Sequence, residues 1–74
     1  MQYFRYTVIL DPQPGGGYHI FCPALPGCRS EGDTLEEALA NIKEAIQVYL
    51  ESLKAHGETA PHEDFLIKPM EIAV

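Results

Sequence analysis

The stretch PALPGCRSEGDTLEEALANIKEAI, residues 23–46, decides the fold. It begins as a turn rich in proline and glycine and then runs into a helix with clear start signals. Thr34 followed three residues later by Glu37 is a capping box, in which the hydroxyl and the carboxylate each accept a backbone N–H at the helix start. Gly57 suits the end of this helix, and Pro61 prevents its continuation. The sequence therefore predicts one long helix that follows a rigid turn.

The predicted helix has one apolar face, which we expect to pack on a sheet. Its residues recur at helical spacing: Leu35, Leu39, Ile42, Ile46, Tyr49, Leu50 and Leu53.

Short strands are predicted on both sides of the helix. Residues 3–10 alternate between two sets of apolar and β-branched side chains, and residues 18–22 form a second strand after a turn rich in proline and glycine. Residues 28–31 are a short third strand, and the alternation over residues 64–74 predicts a fourth, short or irregular strand.

This order of elements, β-β-β-α-β, predicts an α+β fold. Two hairpin connections make the first and third strands parallel, and a right-handed crossover through the helix places the fourth strand beside the first. The result is a mixed sheet of order 3-2-1-4 with the helix on one face. The residues of the deciding stretch set backbone angles or cap the helix and supply no reactive group: Pro23, Pro26, Gly27, Gly32 and Thr34.

Length and charge restrict the classes of function. The chain has 74 residues and is predicted to be a single domain, residues 1–74. Its formal charge of -6, with five scattered basic residues, disfavours direct nucleic-acid binding and favours a basic protein partner. The first residues do not resemble a signal peptide, and no apolar run is long enough to cross a bilayer. We therefore expect a cytoplasmic protein that does not bind membranes.

Two surfaces are predicted to bind a partner or a second copy, giving a dimer or tetramer. The sheet face without a helix is apolar at three positions: Tyr3, Ile9 and Phe21. A flank of the helix carries small or weakly polar residues next to two acids: Asn41, Ala45, Val48 and Ser52, with Asp33 and Glu37.

No catalytic, cofactor or metal site is predicted. The carboxylates Asp11, Glu36 and Glu71 are too scattered for two-metal chemistry, which needs several carboxylates around ions about 4 Å apart. Cys22 and Cys28 are six residues apart across a proline turn, unlike the close pairs of structural zinc sites, and are interpreted as small buried hydrophobes. The glycines of residues 15–17 precede a strand, so they do not form a phosphate-binding loop.

The deciding stretch also resembles the signature of HicB-like antitoxins. Phe21, the segment PALPGC at residues 23–28, GDTLEEA at residues 32–38 and NIKEA at residues 41–45 carry the resemblance, which covers residues 3–56. The resemblance implies a truncated ribonuclease H-like fold and a domain that binds and silences a small RNA-cleaving HicA-like toxin. Ala24 stands where many members have an acidic residue, so a charged toxin contact from this turn is not carried over.

Full-length members of this family also carry a C-terminal DNA-binding segment. This chain stops at Val74, and we expect it to lack that segment. Two other hypotheses remain beside the antitoxin: an orphan oligomeric adaptor without a toxin, and a degenerate ribonuclease H-like enzyme.

Overall fold

The computed structural model describes residues 3–74; Met1 and Gln2, which the predicted domain includes, lie outside the described residues. Three strands precede one helix: β1 (Ile9–Pro12), β2 (Tyr18–Phe21), β3 (Arg29–Gly32) and α1 (Leu35–Ala55). The predicted α+β class is therefore confirmed.

The strands form one antiparallel sheet in the order β1-β2-β3. In its register, Ile9 lies opposite Phe21 and Ile20 lies opposite Ser30. The first hairpin is closed by the Gln13 N–H, which donates to the Gly17 C=O at 3.0 Å. Gly17 has a φ of 82°, a value that L side chains rarely adopt, so the glycines in this turn serve the backbone.

The second hairpin contains the proline-rich turn of the deciding stretch. The Cys22 N–H donates to the Cys28 C=O at 3.0 Å, and inside this pair the Leu25 N–H donates to the Cys22 C=O at 3.1 Å. Gly27 has a φ of 80°, and Leu25 is only 1% exposed. The turn is closed by backbone bonds, in agreement with the predicted rigid turn, and it buries the Leu25 side chain while Pro26 and Gly27 stay exposed.

Gly32 and Thr34 determine how the chain passes from β3 into α1. A Cβ on Gly32 would lie 2.4 Å from the backbone N of Ala38, so only glycine allows the helix to approach the strand this closely. The Thr34 Oγ1 accepts from the Glu37 N–H at 3.1 Å, and the Glu37 carboxylate accepts from the Asp33 N–H at 3.3 Å. The predicted capping box is confirmed.

The core lies between α1 and the β2–β3 side of the sheet, since the helix contacts these two strands. Its buried residues come from β2, the second turn and the helix: Ile20, Cys22, Leu25, Cys28, Ala38 and Ile42. Two positions of the predicted apolar face differ, because Leu35 and Leu39 are 41% and 40% exposed. The helix does not reach over β1, so this flank of α1 stays half covered.

The first strand is shorter than predicted, because residues 3–8 are not part of the sheet. Continuing the register of β1 and β2 would place Thr7 opposite Pro23, which has no N–H to donate. The Thr7 N–H donates instead to the Glu63 carboxylate, and the Thr7 hydroxyl donates to the same group at 2.7 Å. Side-chain bonds thus replace the ladder at this point.

The predicted fourth strand is not formed, and the sheet has three strands instead of the order 3-2-1-4. Residues 58–74 have no regular secondary structure. They are attached near residues 6 and 7 through side chains: besides Glu63, the Tyr6 hydroxyl donates to the Pro61 C=O at 2.7 Å. Pro69 lies within the predicted strand and has no N–H, so it restricts ladder bonding to one side of the segment. Residues 64–74 are called the C-terminal segment below.

Candidate protein-binding surfaces

One side of β3 is a free edge, and it forms a groove with the neighbouring flank of α1. The Asn41 Nδ2 donates to the Glu31 C=O at 2.7 Å and ties the helix to the strand at one end of this groove. We call it the helix–edge groove; its lining residues are Gly27, Cys28, Arg29, Ser30, Asn41, Glu44, Ala45, Val48, Tyr49 and Ser52.

The backbone of β3 faces this groove at alternate residues. The Cys28 C=O accepts a bond from the β2 side, and alternation along the strand directs the backbone groups of Ser30 toward β2 as well. The N–H and C=O of Arg29 and Glu31 therefore point into the groove. Asn41 covers the Glu31 carbonyl, so Arg29 offers the backbone groups that a partner strand would use.

Three glutamates run along the outer border of the groove. Glu37, Glu44 and Glu51 are exposed and follow each other at intervals of seven residues, so they form one row on the helix. Lys43 lies on the back of α1, and Lys54, three residues after Glu51, neighbours only the C-terminal end of the row. The border of the groove is consequently acidic. This row was not predicted, although the seven-residue spacing of the glutamates in the sequence was a sufficient signal.

The structure brings the predicted helix flank together but shows that it is not bare surface. Asn41 is bonded to β3, and Ala45 is half-buried and packs against the core. Val48 is 60% exposed and Ser52 is exposed, so these two present the accessible part of the flank. A large charged side chain at position 45 would disturb this packing, so substitutions that test the flank belong at Val48.

The predicted acids Asp33 and Glu37 lie at the helix start, where Glu37 caps the Asp33 N–H. Both side chains are exposed beside the N-terminal end of the groove. Their contact with a partner stays a prediction.

The sheet face opposite the helix carries the second predicted surface. Ile9 and Phe21 lie directly opposite each other and are 37% and 41% exposed, so they form one small apolar pair. His19 and Glu31 flank the pair, with 3.6 Å between the His19 Nε2 and a carboxylate oxygen of Glu31. Tyr3 is 88% exposed and precedes β1, so the structure does not place it on this face.

The two cysteines belong to the core. Cys22 and Cys28 are 2% and 6% exposed, as expected for small hydrophobes, and both are free thiols. Burial raises the pKa of each thiol, which keeps the pair protonated at neutral pH. Among residues 3–74, no three His, Cys, Asp or Glu side chains form a group that could hold a metal ion.

Burial also raises the pKa of Tyr6, with smaller contributions from Cys22 and Glu63. This hydroxyl therefore stays protonated and donates to the Pro61 carbonyl. The helical structure within residues 3–74 does not combine the length and the apolar character needed to cross a membrane.

These features define a small α+β domain with a free sheet edge beside an acidic helix border. The chain belongs to the HicB-like antitoxin family: its residues 6–71 match the family described as HicB_like antitoxin of bacterial toxin-antitoxin system. It is 53% identical over 73 residues to a UPF0150 protein of Synechocystis sp., a match that covers 99% of this chain and 92% of that protein.

More distant relatives extend the same family. A UPF0150 protein of Thermoplasma acidophilum is 52% identical over 60 residues, which is 81% of this chain and 87% of that protein. The protein named Antitoxin HicB 1 of Photorhabdus laumondii is 32% identical over 74 residues, which covers 93% of this chain and 48% of that antitoxin. The predicted family is therefore confirmed.

Proposed function

We propose that this protein is an antitoxin-like module that neutralises a small, basic, RNA-cleaving toxin of the HicA-like kind. The helix–edge groove covers the active surface of the toxin, so that RNA is excluded. Inhibition is stoichiometric and needs no catalysis by this chain. Both partners meet in the cytoplasm.

The observation that carries this proposal is the acidic row beside the groove. An enzyme that binds RNA concentrates lysine and arginine where the phosphates lie. Glu37, Glu44 and Glu51 present negative charge along one line of α1, next to the exposed apolar side chain of Val48. Complementary charge speeds the encounter with a basic partner and fixes its orientation, while the apolar contact supplies the desolvated centre of the interface.

The first experiment is co-expression of this protein with the small basic protein encoded beside it. Under this proposal the neighbour arrests growth alone, and co-expression restores growth. Purification should then yield a complex of the two chains. A neighbour that does not bind this chain would favour the orphan adaptor instead.

The site is tested by reversing charge at two places with equal change in net charge. Glu44→Lys with Glu51→Lys removes the acidic border and should weaken toxin binding by about tenfold or more at low salt, with a smaller effect at high salt. The matched control is Glu36→Lys with Glu58→Lys, away from the groove, which should leave affinity within about twofold of the parent. Equal losses of toxin affinity in both double variants would show that the affinity depends on the total charge of the protein. The groove would then be excluded as the binding site.

The apolar centre is tested with Val48→Asp. Val48 is 60% exposed, so the fold should survive, whereas binding should weaken at any salt concentration. Gln47→Asp is the neighbouring control, because Gln47 is exposed outside the groove lining. Unchanged binding by Val48→Asp would place the toxin elsewhere.

A further inference from the structure

The C-terminal segment exposes its large apolar side chains. Leu66, Ile67, Met70 and Ile72 are between 60% and 88% exposed, and Val74 at the chain end is also fully accessible. Isolated exposed apolar residues are ordinary, but several along one short segment usually mark a contact with another surface. These side chains therefore form an apolar surface that contact with another part of a protein would remove from water.

The pattern of the C-terminal segment fits an added edge strand. In an extended conformation, Leu66, Met70, Ile72 and Val74 share one face, and their backbone N–H groups point to one side. Pro69 belongs to the alternate set and points to the other side, where a missing N–H interrupts no ladder.

The outer edge of β1 offers the complementary backbone groups. The Gln13 N–H donates to the Gly17 C=O in the same register that pairs Ile9 with Phe21, so odd-numbered residues of β1 bond toward β2. The N–H and C=O of Leu10 consequently point outward from the sheet, and Val8 directly precedes this edge of β1.

An apolar surface lies next to this edge on the helix side. Leu10 and Val8 are half-buried and pack against the core, and Leu35 and Leu39 are 41% and 40% exposed. On α1, Leu35 and Leu39 occupy the flank opposite Asn41, and since Asn41 bonds to β3, they face the β1 side. We call Val8, Leu10, Leu35 and Leu39 the β1 shelf.

The segment does not cover the shelf of its own chain. Residues 61 and 63 are fixed to residues 6 and 7, and the chain beyond them extends outward. The radius of gyration is 14.5 Å, compared with about 11 Å for a compact domain of this length, and the longest dimension is 48 Å. The segment therefore reaches away from the domain that carries it.

We propose that the C-terminal segment of one copy adds as a strand to the outer edge of β1 in a second copy, with Leu66, Met70, Ile72 and Val74 on the β1 shelf. The exchange is reciprocal and gives a two-fold symmetric dimer. This inference is independent of the proposed toxin binding, because the β1 shelf and the helix–edge groove lie at opposite edges of the sheet.

The apolar area comes close to what a stable dimer needs. A fully buried aliphatic side chain removes roughly 60–120 Å² of apolar surface from water. Four such side chains from each of two segments, together with the shelf they cover, approach the roughly 1,200–2,000 Å² of a stable protein interface. The backbone bonds of two added strands come in addition.

The test begins with the molar mass of the full chain, measured by light scattering across a concentration series. We expect a dimer at micromolar concentration. Ile72→Asp should raise the concentration needed for dimerisation by about tenfold or more, because it places a charge on the shelf. Ala73→Asp carries the same charge on the opposite face of the strand and should change the concentration needed for dimerisation by less than about threefold. A chain that stays monomeric, or equal effects of the two variants, would overturn the proposal.

A second experiment mixes a variant with a damaged C-terminal segment and a variant with a damaged β1 shelf. It tests whether the segment of one copy binds the shelf of another. Leu39→Asp damages the shelf, and Ala40→Asp is its control on the exposed side of α1. At a concentration at which the parent chain is dimeric, Ile72→Asp and Leu39→Asp should each be largely monomeric when alone. Mixed in equal amounts they should form a heterodimer, since an intact segment of one copy then meets an intact shelf of the other.

A mixture that stays monomeric at this concentration would show that the segment of one copy does not bind the shelf of another, and exchange would be wrong. Circular dichroism establishes that each variant is folded before mixing. If Leu39→Asp does not fold, Leu35→Asp replaces it, since an acid in the first helical turn is favourable. If the dimerisation and mixing experiments contradict strand exchange, toxin binding by the same proteins can still be measured. The proposal of strand exchange and the proposal of toxin binding can therefore fail separately.

Discussion

Residues 9–56 and the C-terminal segment both carry apolar side chains at regular spacing, yet only the first region forms regular elements. In residues 9–56, closed turns and a capped helix satisfy the backbone, so Ile20 and Ile42 are buried. In the C-terminal segment, the alternation is equally clear but Ile72 is 69% exposed. The comparison teaches that apolar spacing shows what a segment is able to bury, whereas available backbone partners decide whether it does so within its own chain.

The strongest test of this difference makes the same substitution in both regions. Ile20→Ala removes a side chain that is 1% exposed and should lower the free energy of unfolding by about 2–5 kcal/mol. Ile72→Ala should change it by less than about 0.5 kcal/mol when measured in the monomeric, dilute protein. Urea denaturation followed by circular dichroism measures both. Similar losses would mean that the C-terminal segment belongs to the folded core.

A second test compares two glycines. Gly32→Ala introduces a Cβ that would lie 2.4 Å from a backbone atom of α1, and we expect a loss of about 1–3 kcal/mol. Gly15→Ala is the control, since its Cβ meets nothing within 4 Å and should cost less than about 0.5 kcal/mol. If both proteins melt alike, the close approach of β3 and α1 does not matter for stability.

A third test concerns the helix cap. Thr34→Ala removes the oxygen that accepts the Glu37 N–H and should cost about 1 kcal/mol. For a domain of this size, the melting temperature should fall by about 4–8 °C. Thr59→Ala, at an exposed position after the helix, should leave the melting temperature unchanged. An unchanged melt for Thr34→Ala would show that the cap contributes nothing.

The smallest expected effect comes from alkaline pH. Burial raises the pKa of Cys22 and Cys28 above the ordinary value of 9.0, so the unfolded chain loses these protons at lower pH than the folded one. Stability is therefore complete below about pH 9 and falls as the pH rises above it. Melting temperatures at about pH 8 and about pH 10 should show this fall, and the fall should be smaller in Cys28→Ala. A melting temperature that does not depend on pH in this range would contradict the expected contribution of the two thiols.

The helix and the turns could be predicted from the sequence because their signals are local. Thr34, Glu37 and Gly57 mark the helix ends within a few residues, and Pro23 ends the second strand by its own chemistry. The burial of both cysteines also follows from their position beside a closed turn.

The edges of the sheet could not be predicted in the same way. Whether residues 3–8 join β1 depends on Pro23, which lies far along the chain, and whether a fourth strand forms depends on what lies beside β1. Of the candidate surfaces, the helix flank was found by spacing, but the sequence did not show that Ala45 packs inward or that Asn41 bonds to β3. Both facts depend on how the helix is placed on the sheet, which local sequence signals do not specify.

The connections between packed elements have a consequence for the order in which the two surfaces form. β1 contacts β2, β2 contacts β3, and α1 contacts β3 and β2, so every packed pair is close in the chain. Such local topology folds rapidly. The helix–edge groove needs only β3 and α1, so it is complete as soon as these elements have packed, whatever the C-terminal segment does. A single chain can therefore present the groove before any association with a second copy.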